Sequence, residues 1–342
     1  MLLHIFYKYL HTFSAAQNFL GTIMKHIIAA LLLVPALAWA QWTPSKTVTT
    51  TIGFAPGSGN ELSFRIASSI VEKQYPGVSY IINNRPGAGE IVALNWFTKL
   101  PADGSNIYIA SQQGPFTANE VWFPGQANYE PMDMKFVTTI AKSPLAIVAH
   151  TSSSTNTPQQ LVQRLKITKD PVNFAVGATA HQLVFEYLMD KTQGRRDLAK
   201  PVLYKGPAQA LQDVAGNQVE FGIMPAAVAY PMVKAGKVKY IGLAGEQRLA
   251  QIPDVPLLKD TVPGLNVYAA WMIVLPPSSP QHQVDYYNRV FVPAINSAEA
   301  KKLFDENLMY AVSSEQTPAG ARRYIEGLRA QWMPYIKKIV LE

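Results

Sequence analysis

The chain has 342 residues, 48% of them hydrophobic and 15% charged, with a formal net charge of +7. That length supports one large or two medium domains with buried cores, and the mild basic excess comes without a basic run of nucleic-acid type. There are no cysteines, which excludes a disulfide framework, a thiolate nucleophile and a thiolate metal site.

Met24-Lys25-His26 is a short basic start, residues 27–37 are an apolar run broken only by Pro35, and Ala38-Trp39-Ala40 puts small residues at both positions a signal peptidase reads. This predicts a secretory signal peptide cleaved before Gln41 and hence a periplasmic location. The apolar run is too short to span a bilayer comfortably. Residues 1–23 form an upstream extension, and residues 1–40 are set aside from the fold.

Residues 47–54 read as a strand. The loop 55–60, Ala-Pro-Gly-Ser-Gly-Asn, leads into a helix capped by Ser58 or Asn60, with Glu61 against its positive end. Pro76-Gly77 stops that helix. Residues 78–82 predict a strand buried on both faces, 84–89 a turn, 90–100 a helix and 106–110 a third strand. Strand–helix alternation implies an α/β domain with a largely parallel sheet. Ligands of such sheets bind outside the carboxyl ends of the strands, here 55–60, 83–89 and 111–116.

Residues 136–150 are apolar and β-rich, with an expected interruption at Lys142-Ser143-Pro144, and would carry the chain into a second domain. A helix starts at Thr157-Pro158. Strands at 172–176, 201–204, 220–224 and 239–243 alternate with helices at 182–189, 207–214 and 226–235. A long strand at 267–275 would return the chain to the first domain. Helices at 281–296, 298–306 and 318–339 close it, Pro334 bending the last. The expected architecture is a hinged clamshell of two α/β domains joined by two crossing strands. Domain 1 comprises 43–142 plus 272–342, and domain 2 comprises 143–271.

The tests for an enzyme are negative. Pro56 stands where G-x-S-x-G needs its first glycine, and there is no H-E-x-x-H, P-loop or G-x-G-x-x-G. Beyond the leader only His150, His181 and His282 remain, none at ligand spacing, so neither a metal nor a cofactor is expected. The strand-end loops instead hold Ser58, Gly59, Asn60, Ser111, Gln112, Gln113, Thr179 and His181, which supply hydrogen-bond donors without a committed charge. Helices start just after Asn60 and Thr179, and donors converging with helix N-termini suit a carboxylate. Any one of these residues alone is more simply a cap or a turn former; the set, at the same strand ends in both halves, favours binding. His181 at a helix start would be neutral and a donor, with a packed structural imidazole the equal alternative. Arg85 is expected in an ion pair fixing its turn, Lys205 in a turn-stabilising or exposed role, and Trp271 in the core.

Six phrases in one order then carry a resemblance. They are P-G-S-G-N-E-L-S-F-R at 56–65, N-N-R-P-G-A-G-E at 83–90, A-D-G-S-N-I-Y at 102–108, V-L-Y-K-G-P-A-Q-A-L-Q-D-V-A-G-N-Q-V-E at 202–220, V-K-A-G-K-V-K-Y-I-G-L at 233–243 and I-P-D-V-P at 252–256. The chain from about Thr47 to its end resembles the Bug-type substrate-binding proteins of tripartite tricarboxylate transporters. The resemblance implies a periplasmic-binding-protein fold of the second type, without a cofactor, that closes on a small carboxylate for delivery to membrane permease subunits, as a monomer. Matched positions imply binding loops at 56–60 and 111–113, at Gly177 to His181, and at 224–226, which adds Gly177, Pro225 and Ala226 to the site. The chain departs from the family pattern at Ser58 and Glu61, at Glu90, where the pattern has glycine, and at Pro225-Ala226-Ala227, where a polar or acidic residue is common. The last departure implies a more apolar or aromatic carboxylate. Two other roles stay open at this point: a ligand-sensing partner of a membrane sensor kinase, and a secreted enzyme using the cleft.

Overall fold

A computed structural model describes residues 42–44 and 46–341; the leader and its cleavage site lie outside the described residues. The first half opens with β1 (Thr47–Ile52), α1 (Gly59–Gln74) and β2 (Ser79–Asn84), then α2 (Ile91–Phe97) and β3 (Asn106–Ser111). β1 pairs in parallel with both β2 and β3, as the alternation predicts. β2 is not buried on both faces. It forms the edge of the sheet, and Ile81 is 58% exposed. Its inward Tyr80 still packs edge-on against Phe64 of α1, with ring centroids 5.6 Å apart.

After β3 the chain makes a π-helical turn, Gly114–Ala118, and one α-helical turn, α3 (Asn119–Trp122). It then runs into β4 (Lys135–His150), a single 16-residue strand buried at every position from Phe136 to Ala149. The second half contains α4 (Pro158–Ile167), β5 (Val172–Val176), α5 (Thr179–Thr192), β6 (Ala199–Leu203), α6 (Pro207–Ala215), β7 (Phe221–Pro225), α7 (Ala226–Lys234) and β8 (Val238–Ala244). Thr157 caps α4 by accepting from Gln160 N–H, with Pro158 in the first turn where its missing N–H costs nothing. β5 lies parallel to β6 and β7. β9 (Tyr268–Leu275) returns, followed by α8 (Gln281–Asn296), α9 (Ala298–Glu306) and α10 (Pro318–Leu341).

The strand order is β2-β1-β3-β9-β4-β7-β5-β6, with β8 also on β4. β4 joins the halves. It runs antiparallel to β9 over residues 135–144, and to β7 and β8 over residues 145–150. Lys142-Ser143-Pro144, expected to interrupt the strand, instead marks where its partner changes. There the buried Lys142 ammonium pairs with the Glu315 carboxylate and sits 3.7 Å from the centre of the Tyr324 ring. α8 and α10 pack back onto β4, so the C-terminal helices close on the first half. The result is the expected two-lobed α/β clamshell with two crossing strands.

Candidate functional site

The loop after β1 is built by its own side chains. Ser58 Oγ accepts from Glu61 N–H (3.3 Å) and caps α1. The Glu61 carboxylate accepts from Gly57 N–H (3.2 Å) and from Arg65 Nε (2.8 Å). The two positions at which this loop departs from the family pattern thus hold it in shape. In the first turn, Gly59 and Asn60 N–H have no acceptor within the helix. A side chain on Gly59 would overlap the Trp271 indole, so only glycine lets α1 begin against that ring. Asn60 Nδ2 donates to Ile109 O (2.9 Å), tying the helix start to β3.

The second half mirrors this arrangement. β5 ends next to Gly177, which packs on the backbone of Gly206 and Pro207, and α5 starts at Thr179. Ala178 is its N-cap and offers no side-chain acceptor, which leaves the first N–H groups of α5, on Thr179 and Ala180, without an intrahelical partner. His181 is buried, and its Nδ1 accepts from Gly177 N–H (3.2 Å). The accepting nitrogen carries no proton, so the neutral ring bears it on Nε2. Burial lowers the His181 pKa to about 3, keeping it a neutral donor at physiological pH.

Gly59, Asn60, Ser111, Gln113, His181 and Pro225 line one inner chamber of about 20 Å³, walled also by Phe54, Trp271 and Ala180. That is room for about one water molecule. Phe54 and Ala178 also border an outer chamber of about 250 Å³, where Gly177 and Thr179 lie with Gly89, Leu203 and Lys205. The remaining positions singled out from the sequence face elsewhere. Ser58 serves its helix, Gln112 Nε2 donates to Thr139 Oγ1 (3.4 Å), and Ala226 sits in the apolar core with its carbonyl accepting from Tyr240 OH (2.7 Å). Thr179 Oγ1 donates to Asn119 Oδ1 (3.0 Å).

Among the described residues no Lys or Arg lines the inner chamber. Its positive character comes from two helix N-termini, each equivalent to roughly half a charge. Among the described residues no cluster of His, Asp or Glu is placed to hold a metal ion. Among the described residues Arg85 makes no ion pair of the kind expected; its guanidinium stacks on Trp96, 3.7 Å from the ring centre.

One residue was not among those singled out for the site. Glu90 is fully buried, with its backbone left-handed at φ 80, a region that costs a non-glycine residue about 1–2 kcal/mol. Its carboxyl accepts from Tyr108 OH (2.9 Å) and Ser111 N–H (3.3 Å), and it shares a further hydrogen bond with Ser111 Oγ. Burial raises its pKa to about 8, against the lowering effect of those donors. The available signal was the acid standing where the family pattern has glycine.

Two α/β lobes joined by crossing strands, with strand-end loops and helix starts meeting between them, define a periplasmic-binding-protein fold. The family model described as the tripartite tricarboxylate transporter family receptor matches residues 64–341, and the chain belongs to that family. Among curated relatives, a UPF0065 protein of Bordetella bronchiseptica is 26% identical over 80% of each chain. Protein BugT of Bordetella pertussis is 22% identical, covering 87% of this chain and 91% of BugT. Among solved structures, periplasmic binding protein BugD superposes with a TM-score of 0.81 at 20% identity, over 88% of this chain and 99% of BugD. Rpa4515 of R. palustris, solved with adipate, gives 0.80 at 22% identity, over 88% of this chain and 98% of its own.

Proposed function

We propose that this protein is a periplasmic receptor that closes on a small carboxylate between its two lobes and delivers it to a membrane permease. One observation carries the reading: the N-terminal turns of α1 and α5, with the His181 Nε2–H donor, meet at one chamber that no cationic side chain among the described residues lines. Together the two helix ends supply roughly one unit of positive charge, which matches a single carboxylate. The Rpa4515 structure with adipate and that of MatC with malate, both of this fold, support a carboxylate as the ligand class. Gly59, Asn60, Gln113 and His181 are the proposed contacts, with Ser111 and Pro225 as walls of the same chamber and Gly177 and Thr179 bordering the outer one. Domain 1 is taken as residues 43–142 plus 272–342 and domain 2 as 143–271. A carboxylate does not fit the 20 Å³ chamber as it stands, so binding requires the lobes to part.

A thermal-shift panel of mono-, di- and tricarboxylates tests this. A ligand that binds only the folded state raises the melting temperature by mass action. Calorimetry on the best compound should give one site per chain. If no member of a broad panel shifts the melting temperature, the carboxylate reading fails.

A further inference from the structure

Against the wall of the inner chamber lies a carboxyl group of the protein's own. Glu90 Oε2 accepts from Tyr108 OH, and the Ser111 backbone N–H and hydroxyl both bond the same carboxyl group. Ser111 is itself a wall of the inner chamber. The donor cluster at the end of β3 is therefore already filled from within. The fit is built: a Cβ on Gly53 would lie 2.7 Å from Glu90 Cγ and 2.8 Å from its Cβ, so the glycine just after β1 makes room for this side chain. Glu90 adopts a left-handed backbone that glycine would adopt without strain, yet an acid is placed there. Among the described residues no Lys, Arg or His forms a salt bridge with it. A structural ion pair is not its role.

We propose that Glu90 is a specificity-determining residue: it occupies the β3 donor cluster in place of a second ligand carboxylate and restricts the chamber to monocarboxylates with an apolar body. This rests on the carboxylate reading above. Charge and polarity agree with it. Two helix ends balance about one negative charge, and a second anion in the chamber would be uncompensated. The other walls are Phe54, Ala180, Pro207, Pro225 and Trp271, which suit an apolar body. Gln113 Nε2 is committed to Tyr268 O, and its buried Oε1 has no hydrogen-bond partner among the described residues. That acceptor favours a monocarboxylate carrying a hydroxyl or N–H donor.

The test compares the full chain with Glu90→Gly, which relieves the backbone and empties the donor cluster, and Glu90→Gln, which keeps the shape. Calorimetry is run with matched pairs of aliphatic and aromatic mono- and dicarboxylates, and melting temperature is followed against added acetate. The native protein should bind its best monocarboxylate at least roughly tenfold tighter than the matching dicarboxylate, and Glu90→Gly should narrow or reverse that ratio. Acetate, filling the vacated cluster, should raise the melting temperature of Glu90→Gly and leave the native protein and Glu90→Gln unmoved. A native protein that binds both members of each pair equally overturns the proposal, as does a Glu90→Gly variant that keeps the native ratio and ignores acetate. In either case the carboxylate reading stands. Absence of any carboxylate binding in all three proteins removes that reading and the proposal together.

Discussion

Thr179 Oγ1 donates to Asn119 Oδ1 at 3.0 Å, and Asn119 Nδ2 in turn donates to Gly89 O at 2.7 Å. One amide thus ties the start of α5 in the second half to the left-handed loop ahead of α2 in the first. Gly89 has φ 57, and a Cβ there would lie 2.6 Å from Thr179 Oγ1. Gly89→Ala should therefore wedge the lobes apart as well as strain the loop. The expected result is a larger radius of gyration by small-angle scattering without ligand, and affinity for the best carboxylate reduced about tenfold, or ~1.4 kcal/mol. Thr179→Val removes only the donor and leaves Asn119 Oδ1 unpaired, at a cost of about 1–3 kcal/mol in denaturant melts. An unchanged radius in Gly89→Ala would show that this contact does not hold the lobes together.

Glu90 and His181 make opposite contributions to stability with pH. The folded Glu90 keeps its proton up to about pH 8, against 4.5 when unfolded, so its contribution is full below pH 4.5 and is lost as pH rises through 8. The folded His181 stays neutral down to about pH 3, against 6.5 when unfolded, so its contribution is full above pH 6.5 and is lost as pH falls towards 3. Between about pH 4.5 and 6.5 the two slopes cancel: the unfolded chain carries one proton on His181 and the folded chain carries one on Glu90. From about pH 6.5 to 8 the Glu90 contribution falls by about 1.4 kcal/mol per pH unit with no opposing slope from His181. Glu90→Gln should abolish that slope and expose a rising one between about pH 4.5 and 6.5. Urea melts at half-unit intervals of pH measure both, and a variant with the native profile would refute the buried-acid assignment.

Elements whose signals are local were legible in the sequence. The apolar spacing and bounding residues set α8 and α9 at their observed limits, and Thr157-Pro158 marked the start of α4. The loops at residues 55–60, 111–113 and 177–181 follow from strand–helix alternation, and Gly59, Asn60, Ser111, Gln113, His181 and Pro225 do meet at one chamber. What escaped depends on distant partners. β2 reads as a buried strand, but its edge position is decided by the order of all the others. Trp271 reads as core and is buried, yet it is also the wall against which Gly59 must be bare. The Glu90 carboxyl lies against Tyr108, Ser111 and Gly53, contacts that a one-dimensional pattern does not bring together.

The Lys142–Glu315 pair sits where β4 changes partners, with side chains 9% and 8% exposed. Burial lowers the Lys142 pKa and raises that of Glu315, while each partner's charge works against that shift in the other. A hydrogen bond from the Thr139 side chain also favours the charged form of Glu315. Lys142→Met would strand a carboxylate at the crossing and should destabilise the fold by about 3–5 kcal/mol. The double variant Lys142→Met, Glu315→Leu should recover most of that loss, because two apolar side chains leave no buried charge. Chemical denaturation of both variants checks this. If the double variant is no more stable than Lys142→Met, the pair contributes more than it costs to bury.

Gly59 and Ser58 separate the role of the chamber wall from that of the helix cap. Ser58 is 1% exposed and its hydroxyl is engaged by Glu61 N–H, so Ser58→Trp would disturb the fold before it obstructed a ligand. Ser58→Ala is the informative change. It should cost about 1 kcal/mol through loss of the cap and leave affinity for the best carboxylate within a few-fold, since Ser58 does not line the chamber. Gly59→Ala places a methyl group in the space of the Trp271 ring. Trp271 is 2% exposed and is a rigid wall of the chamber, so overpacking should cost about 1–3 kcal/mol and displace the ring into the ligand volume. Calorimetry should then show no binding for Gly59→Ala while circular dichroism shows an intact fold. Native affinity in Gly59→Ala would mean that the ligand does not sit between α1 and Trp271.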